Sequence, residues 1–338
     1  MASTGVVGFH LTPPVWVGDT LPDRNAEITL KELQTEVYRR DLAVGIRARV
    51  LHSGVFIFDF SAWPRNQDFP TKPNDWPEYD EAVSVVALRV RIINVYLACL
   101  YSALQAVQDA DHEKMIVTPP DLNPYTQFAP PPEGIDDLFV LGLTRRTQAG
   151  TFSLGIESNL RHTFQQDITQ ATLVKSFEML EELLGLNSDD ALLFSEMLLR
   201  SRKAYEDLDY NLCLILAWTM TEKMLFLFWD RYIAANRTRT IDGMTIPFIT
   251  NSRIETLNNT TNFTASTVAE TLSLLDVLPF DLYMRMVDVR KRRNKWVHEL
   301  QPVSRVDAET AVKLAANMLK SAEGIDLPAR LRVSVSFG

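Results

Sequence analysis

Six segments with apolar residues at helical spacing fill most of the chain between residues 167 and 322. Apolar side chains that recur every three or four residues form one face of a helix, and that face must be buried against other elements. This part of the chain is therefore predicted to be a helical bundle, with Asp307 capping its last helix. The predicted helices lie near residues 167–185, 188–206, 208–235, 265–276, 279–301 and 306–322.

The first half of the chain mixes two kinds of pattern. Val44–Phe60 is rich in β-branched and aromatic residues around a His-Ser-Gly turn signal, which predicts a β-hairpin. A long helix is predicted from about Asp80 to Asp109, and a pair of short strands within residues 138–157. A second hairpin is expected much later in the chain, at the Asp-Gly turn signal of residues 242–243.

The 338 residues are enough for two domains, each with its own core. We expect a predominantly α fold, in which a mixed α+β amino-terminal domain (1–165) precedes an all-α domain (166–325) and a short tail (326–338). The net charge is −9, which argues against charge-driven binding of nucleic acid over the whole surface. A local basic site on this acidic protein is still compatible with that charge.

Two long apolar runs, Ile92–Leu104 and Leu212–Trp229, are nearly as apolar as membrane-spanning helices. The second contains Glu222 and an adjacent lysine near its middle, and a charge at the centre of a bilayer costs about 2.5 kcal/mol or more. Both runs are therefore predicted to be buried core helices, with Cys99 and Cys213 as buried free thiols. The amino terminus lacks the layout of a signal peptide. The predicted location is the cytoplasm, without membrane association.

One short stretch, RKRRNKWVHEL at Arg290–Leu300, concentrates five basic residues ahead of a histidine. On a helix, Asn294 and His298 are four residues apart and share a face. Arg293 is offset from His298 by about 140°, at roughly 100° per residue, but its long side chain can reach back toward that face. One surface can thus present a permanent cation, an amide and an imidazole.

This combination of groups suits the cleavage of RNA without a metal. An imidazole can take the proton of a ribose 2′-hydroxyl near neutral pH. The alkoxide then attacks the adjacent phosphate, whose added negative charge the Arg293 guanidinium can stabilise. The amide of Asn294 can orient the imidazole or bind a phosphate oxygen. No nucleotide-binding glycine motif, hydrolase elbow or zinc-protease helix occurs, so we expect neither a metal nor a cofactor.

The neighbouring basic residues have two interpretations. Their positive potential can draw RNA toward the site, or they can form an ordinary solvated helix surface in which Arg292 pairs with Asp288. The candidate RNA-binding residues are Arg290, Lys291, Arg292 and Lys295. The residues expected to pack this helix against the core are Met286, Val289, Trp296 and Val297.

The hexapeptide RNKWVH resembles the Arg-polar-x3-His motif of the HEPN superfamily (higher eukaryotes and prokaryotes nucleotide-binding domains). Two further features are similar to that family. The upstream segment YNLCLILAWTMTEKMLFLFW resembles its long core helix, with Glu222 on an otherwise apolar surface. The segment AETAVKLAANMLKSA resembles its closing helix and follows a short proline-containing turn. The resemblance covers about Ser188 to Ala322.

The resemblance implies an antiparallel bundle of four or five helices that forms a homodimer with a composite, metal-independent endoribonuclease site. Arg293 would stabilise the phosphate, Asn294 would assist and His298 would transfer protons. Glu222 would support the site, by pairing with Arg293 or with another base. Larger members of the superfamily are toxins or effectors in prokaryotic antiviral defence and in toxin–antitoxin systems, where extra domains sense a trigger or regulate the nuclease.

A second interpretation treats the helical domain as a non-catalytic module that binds RNA, a nucleotide or a partner protein. Under the first interpretation the partners are RNA, a second copy of the chain, and an antitoxin or trigger protein. Under the second, the same residues would support binding without cleavage. Loss of RNA cleavage on replacing His298 would favour the first interpretation over the second.

Overall fold

The computed structural model describes residues 5–11, 15–19, 29–64, 76–124, 166–259, 261–328 and 330–331. The chain forms two compact units, Met1–Glu196 and Met197–Gly338. The fold is predominantly α, with a small sheet in the first unit and a largely helical second unit, which confirms the predicted fold class at this level. The domain boundary predicted at residues 165–166 adjoins residues outside the described ranges and stays a prediction, and the strand pair predicted within 138–157 lies outside them.

Nine strands occur within the described residues. They are β1 (Val6–His10), β2 (Trp16–Val17), β3 (Glu36–Asp41), β4 (Arg47–Leu51), β5 (Val55–Asp59), β6 (Asn123–Pro124), β7 (Asp167–Ile168), β8 (Thr238–Ile241) and β9 (Met244–Pro247). A five-stranded antiparallel sheet has the order β3-β4-β5-β1-β6, while β2 pairs in parallel with β7. The two predicted hairpins are confirmed as β4–β5 and β8–β9.

The described residues also contain nine α-helices. They are α1 (Leu30–Leu33), α2 (Trp76–Ala103), α3 (Gln170–Gly185), α4 (Asp189–Glu206), α5 (Tyr210–Ala235), α6 (Asn251–Leu257), α7 (Ala265–Leu274), α8 (Phe280–Glu299) and α9 (Arg305–Glu323). The six helices predicted between residues 167 and 322 correspond to α3, α4, α5, α7, α8 and α9. Helix α6 was not predicted, because its surroundings are polar and rich in Asn and Thr and have few apolar residues at helical spacing.

An aromatic cluster holds the first unit together. The ring of Tyr96, on α2, lies 4.5 Å from Phe177, on α3, and 5.4 Å from Phe58, on β5. Tyr38, on β3, stacks on the other side of Phe177, at 5.4 Å. Aromatic pairs at such distances add about 0.5–1.5 kcal/mol each beyond the burial of their surface. The cluster therefore fixes α2 and α3 against one face of the sheet.

The second unit is built around α5. Helix α9 packs along α5 more extensively than any other helix does, and α7 and α8 also contact α5. The buried side chains of α9 include Ala308, Ala311 and Ala315, and these small residues allow the two helix axes to approach closely. Polar contacts join α5 and α9 at both ends, because Val303 donates to Asn211 (3.0 Å) and Arg231 pairs with Glu323 (2.7 Å). The two helices therefore run in the same direction.

The start of α9 differs from the sequence prediction. Ser304, rather than Asp307, is the residue that caps the helix, and its hydroxyl accepts from the Asp307 backbone amide at 3.2 Å. Asp307 lies in the first turn, where its carboxylate accepts a hydrogen bond from the Ser304 hydroxyl at 2.7 Å. A serine followed three residues later by an acidic residue is a known start signal, so the sequence contained this information.

Two helical stretches, Val83–Gln108 and Tyr210–Ala235, are long and apolar enough to cross a membrane by length and composition alone. The buried share of their most apolar windows is 61% and 50%, respectively. Cys99 and Cys213 lie within these stretches as buried free thiols, as predicted, and burial raises the pKa of both, that of Cys213 to about 12. Core helices of a soluble protein have these properties, and the cytoplasmic location stays a prediction.

Gly54 closes the hairpin between β4 and β5 in a conformation that suits glycine. Its φ is +74°, and a Cβ at this position would lie 2.8 Å from the carbonyl oxygen of Val15. Gly243, in the β8–β9 turn, has a similar φ of +79° but no atom within 4 Å of such a Cβ. The two glycines therefore share the backbone conformation and differ in the space around it.

Gly54→Ala is expected to lower the free energy of unfolding by about 2 kcal/mol or more, because left-handed strain adds to a backbone clash. Gly243→Ala, the matched control, should lower the free energy of unfolding by about 1 kcal/mol or less. In this exposed turn the left-handed backbone is strained, but the added Cβ meets no other atom. Urea denaturation followed by circular dichroism would measure both. Equal losses in the two variants would contradict the role assigned to the Val15 contact.

Candidate functional site

Helix α8 carries the candidate site and presents one buried face to the rest of its unit. Leu282, Met286 and Val289 are buried on that face. The hydroxyl of Tyr283 donates to Glu270 on α7, a hydrogen bond that raises the pKa of Tyr283 and links the two helices. Val297 was predicted to be a packing residue, but it is 42% exposed, since it lies at the end of α8 where the core no longer covers it.

Arg293 continues the buried face of α8 rather than its exposed face. It follows Val289 by four residues and Met286 by seven, so the three side chains leave the helix on the same side. Its Nε is fully buried and has no hydrogen-bond partner among the described residues. Its Nη1 donates to Oδ1 of Asn294 at 3.0 Å. The structure thus brings Arg293 and Asn294 together and directs the guanidinium toward the side on which Asn294 lies.

His298 lies in the last turn of α8, and its side chain is exposed. Within the described part of the chain it makes no hydrogen bond with Arg293 or Asn294, and the amide of Asn294 is engaged by the arginine. The amide therefore does not orient the imidazole in a single copy of the protein. His298 is available to a substrate or to a second molecule.

Glu222 is half-buried on α5. No ion pair joins its carboxylate to Arg293 or to another base within the described ranges, so the pairing expected from the resemblance is not formed. A half-buried carboxylate can keep contact with water and needs no cation to compensate for burial. Within the described residues, Glu222 thus has no ion pair that connects it with the candidate site.

The four candidate RNA-binding residues lie on two sides of α8. Arg292 pairs with Asp307 on α9 at 3.1 Å, instead of with Asp288 as predicted, and Asp288 lies 3.8 Å from Lys291. Arg290 lies near Tyr283, where its charge opposes the raised pKa of that residue. Lys295 is exposed and has no ion pair among the described residues. The Arg292–Asp307 pair depends on the packing of α9 against α8, so it could not be predicted from the sequence of α8.

A concave surface lies between α8 and α9, and we call it the α8–α9 groove. Its volume is about 400 Å³, and a second hollow of about 390 Å³ adjoins it at the connection between the helices. Arg292, Lys295 and Asp307 line both hollows, which places the two hollows next to each other. Lys291 and Thr310 line the first hollow and Ser304 the second. Asp307, Ser304 and Thr310 were not predicted as site residues, because each reaches the groove only through the packing of α9 on α8.

A second polar cluster, on α2 in the first unit, has a structural role. The side chain of Asn94 bonds both backbone groups of Val117, at 2.8 and 3.0 Å, and reaches Glu196 at 3.2 Å. Arg91 pairs with the same carboxylate at 3.2 Å. These contacts satisfy the buried amide of Asn94 and pair the buried carboxylate of Glu196 with Arg91.

Comparison of the chain with protein families, with curated proteins and with solved structures found no match. The resemblance of the RNKWVH motif to the HEPN superfamily therefore depends on the residues of α8 and on their helical surroundings.

Arg293→Met is expected to leave the free energy of unfolding unchanged or to raise it by about 1 kcal/mol, because it removes a buried N–H without a partner and keeps the packing volume. Arg202→Met is the matched control: Arg202 is buried in the same unit and donates to the Leu327 carbonyl at 2.6 Å, so its loss should cost about 2–3 kcal/mol. Guanidinium denaturation of both variants would measure the difference. A loss at position 293 as large as that at 202 would mean that Arg293 is a structural residue.

Proposed function

We propose that this protein is a metal-independent endoribonuclease of HEPN type, in which the second unit is a HEPN-like helical bundle. Its catalytic residues are Arg293, Asn294 and His298, and its active form is a homodimer. The basic side chains of Lys291, Arg292 and Lys295 contact the RNA, and Arg290 adds positive potential near the site. The proposed role is that of a cytoplasmic toxin or effector in prokaryotic antiviral defence or a toxin–antitoxin system.

The observation that carries the proposal is the environment of Arg293. A guanidinium on the core-facing side of a helix, with a buried Nε that has no partner among the described residues, lowers stability compared with an apolar side chain. Such costs are common where a residue serves a function rather than the fold. The remaining N–H groups of this guanidinium can bind a phosphate, since within the described residues its only hydrogen-bond partner is the neighbouring amide.

The proposed reaction needs two proton transfers and one fixed cation. The imidazole of one His298 takes the proton of the ribose 2′-hydroxyl, and the resulting alkoxide attacks the adjacent phosphorus. The bond from phosphorus to the 5′-oxygen breaks, and this oxygen takes a proton from the protonated imidazole of the second copy. The products carry a 2′,3′-cyclic phosphate and a 5′-hydroxyl. Arg293 stabilises the phosphorane charge with a donor that stays protonated.

A second copy of the chain supplies what one copy lacks. His298 has neither an orienting partner nor a second imidazole beside it in the described part of one chain. Phe280 precedes His298 by eighteen residues, which is five helical turns, so both lie on the same side of α8. Phe280 is 69% exposed and Met284, beside it, is 44% exposed. The exposed side of α8 thus carries two apolar residues at its start and His298 at its end, which suits an isologous contact between two α8 helices.

The first unit has a regulatory role in this proposal. It contributes neither Arg293 nor His298, and its described charged cluster on α2 serves the fold. A toxic nuclease needs control, and we assign to the first unit the recognition of a trigger or antitoxin protein.

His298→Ala is expected to lower the rate of RNA cleavage by about 10²–10⁴-fold, because the proton acceptor is lost. The assay uses single-stranded RNA in EDTA and identifies the 2′,3′-cyclic phosphate end. Asn317→Ala, an exposed change on α9, is the control and should cleave at the wild-type rate. A DNA strand of the same sequence should resist cleavage, since it lacks the attacking hydroxyl.

Cleavage that persists in His298→Ala would contradict the assigned role of this residue. A wild-type protein that binds RNA without cleaving it would instead establish the alternative, a non-catalytic HEPN-like module that binds RNA, a nucleotide or a partner protein.

Phe280→Ser is expected to raise the dissociation constant of the homodimer by about tenfold or more, because it removes an exposed aromatic side chain from the proposed contact. Sedimentation equilibrium over a range of concentrations would measure it. Leu212→Ser, at an apolar residue of α5 that is 47% exposed, is the control and should leave the equilibrium unchanged. A wild-type protein that stays monomeric would contradict the composite site.

A further inference from the structure

The α8–α9 groove combines a cavity with an uneven distribution of charge. Its cations are Lys291, Arg292 and Lys295, and its carboxylates are Asp288 and Asp307. Asp288 lies 3.8 Å from Lys291 and Asp307 lies 3.1 Å from Arg292. Lys295 is exposed and has no ion pair among the described residues, so the groove has one cation in excess.

The groove also lies at the start of α9. The amino-terminal end of a helix carries a partial positive charge and favours an anion. Asp307 occupies this position, where its carboxylate accepts a hydrogen bond from Ser304 at 2.7 Å and forms an ion pair with Arg292 at 3.1 Å. The carboxylate of Asp307 is thus bound as a phosphate oxygen would be, between an arginine, a hydroxyl and a helix terminus.

The groove leads toward His298. Lys295 lines both of its hollows and precedes His298 by three residues, so the two side chains are neighbours on the surface of α8. Lys291 lies one further turn back, about 6 Å along the helix axis. Two adjoining hollows with cations spaced along one wall suit a chain of phosphates better than a single compact anion.

We propose that the α8–α9 groove binds the phosphodiester backbone of single-stranded RNA next to His298, and that Asp307 is a built-in competitor for this backbone. The inference rests on the proposed function, because it names the path of the same substrate. Arg292 and Lys295 are the phosphate ligands. Arg292 exchanges Asp307 for a phosphate when RNA enters, and Asp307 keeps its hydrogen bond from Ser304. The competitor lowers the affinity of the groove for anions that offer only one phosphate.

The test is the binding of a short, single-stranded 2′-O-methyl RNA, which cannot be cleaved, followed by fluorescence anisotropy in EDTA between about 50 and 200 mM salt. Arg292→Gln and Lys295→Gln should each weaken binding by about tenfold at the lower salt and reduce the salt slope by about 0.7. Asp307→Asn, which keeps an oxygen for Ser304, should tighten binding by about three- to tenfold.

Two control variants on α9 carry the same changes of charge outside the groove. Lys313 and Glu309 pair with each other at 2.6 Å and line neither hollow. Lys313→Gln is the control for Lys295→Gln, and Glu309→Gln is the control for Asp307→Asn. Both controls should change affinity by less than about threefold, since a charge away from the contact acts only through screened, long-range potential.

Equal weakening by Lys295→Gln and Lys313→Gln would overturn the inference. So would an Asp307→Asn protein that binds no more tightly than Glu309→Gln, or a wild-type protein that does not bind the oligonucleotide. Lys295 is exposed and unpaired in the described structure, so its replacement tests the groove without a change in folding.

Cleavage of unmodified RNA separates the two proposals. Groove-dependent binding without cleavage would contradict the proposed nuclease activity and leave the groove proposal standing. His298-dependent cleavage without groove-dependent binding would contradict the groove proposal and leave the nuclease proposal standing.

Discussion

The packing of α9 along α5 is the contact on which the second unit depends. Alanine residues on the buried face of α9 let the two helices approach closely, and polar contacts at both ends fix their direction. The connection from α8 must then turn back within residues 300–304, where Leu300 adopts a left-handed conformation. As a result, the end of α8 lies beside the start of α9. Both the α8–α9 groove and the position of His298 follow from this arrangement.

Arg293 represents a conflict between folding and function within one helix. Its position in the sequence places it on the side of α8 that packs against the core, where an apolar residue would be more stable. Its guanidinium instead extends toward Asn294, with its Nε buried and unpartnered within the described structure. In the proposed nuclease, the loss of stability at Arg293 is offset by a gain in catalysis. A side chain anchored by packing holds its charged end in one place, and a fixed donor stabilises a transition state better than a mobile one.

Much of the helical unit could be predicted, because its signals are local. The apolar spacing of α5, α8 and α9 specified their extent to within a few residues, and the Asp242-Gly243 signal specified the second hairpin. The errors also have local causes. Ser304 and Asp307 can both cap a helix, and the helix begins at the earlier of the two, which leaves Asp307 in the first turn. Helical spacing predicts the Arg292–Asp288 pair, since the two residues are four positions apart, whereas the true partner, Asp307, lies on the next helix.

The candidate site divides in the same way. By itself, the sequence determined that Arg293, Asn294 and His298 share one helix and that a basic cluster surrounds them, because helical geometry relates residues a few positions apart. Only the tertiary structure decided that the Nε of Arg293 is buried, that Glu222 forms no ion pair with Arg293 within the described residues, and that Asp307 meets Arg292 across a groove. These outcomes depend on which faces of different helices meet. That choice is made by the packing of the whole unit, and it leaves no pattern in the spacing of neighbouring residues.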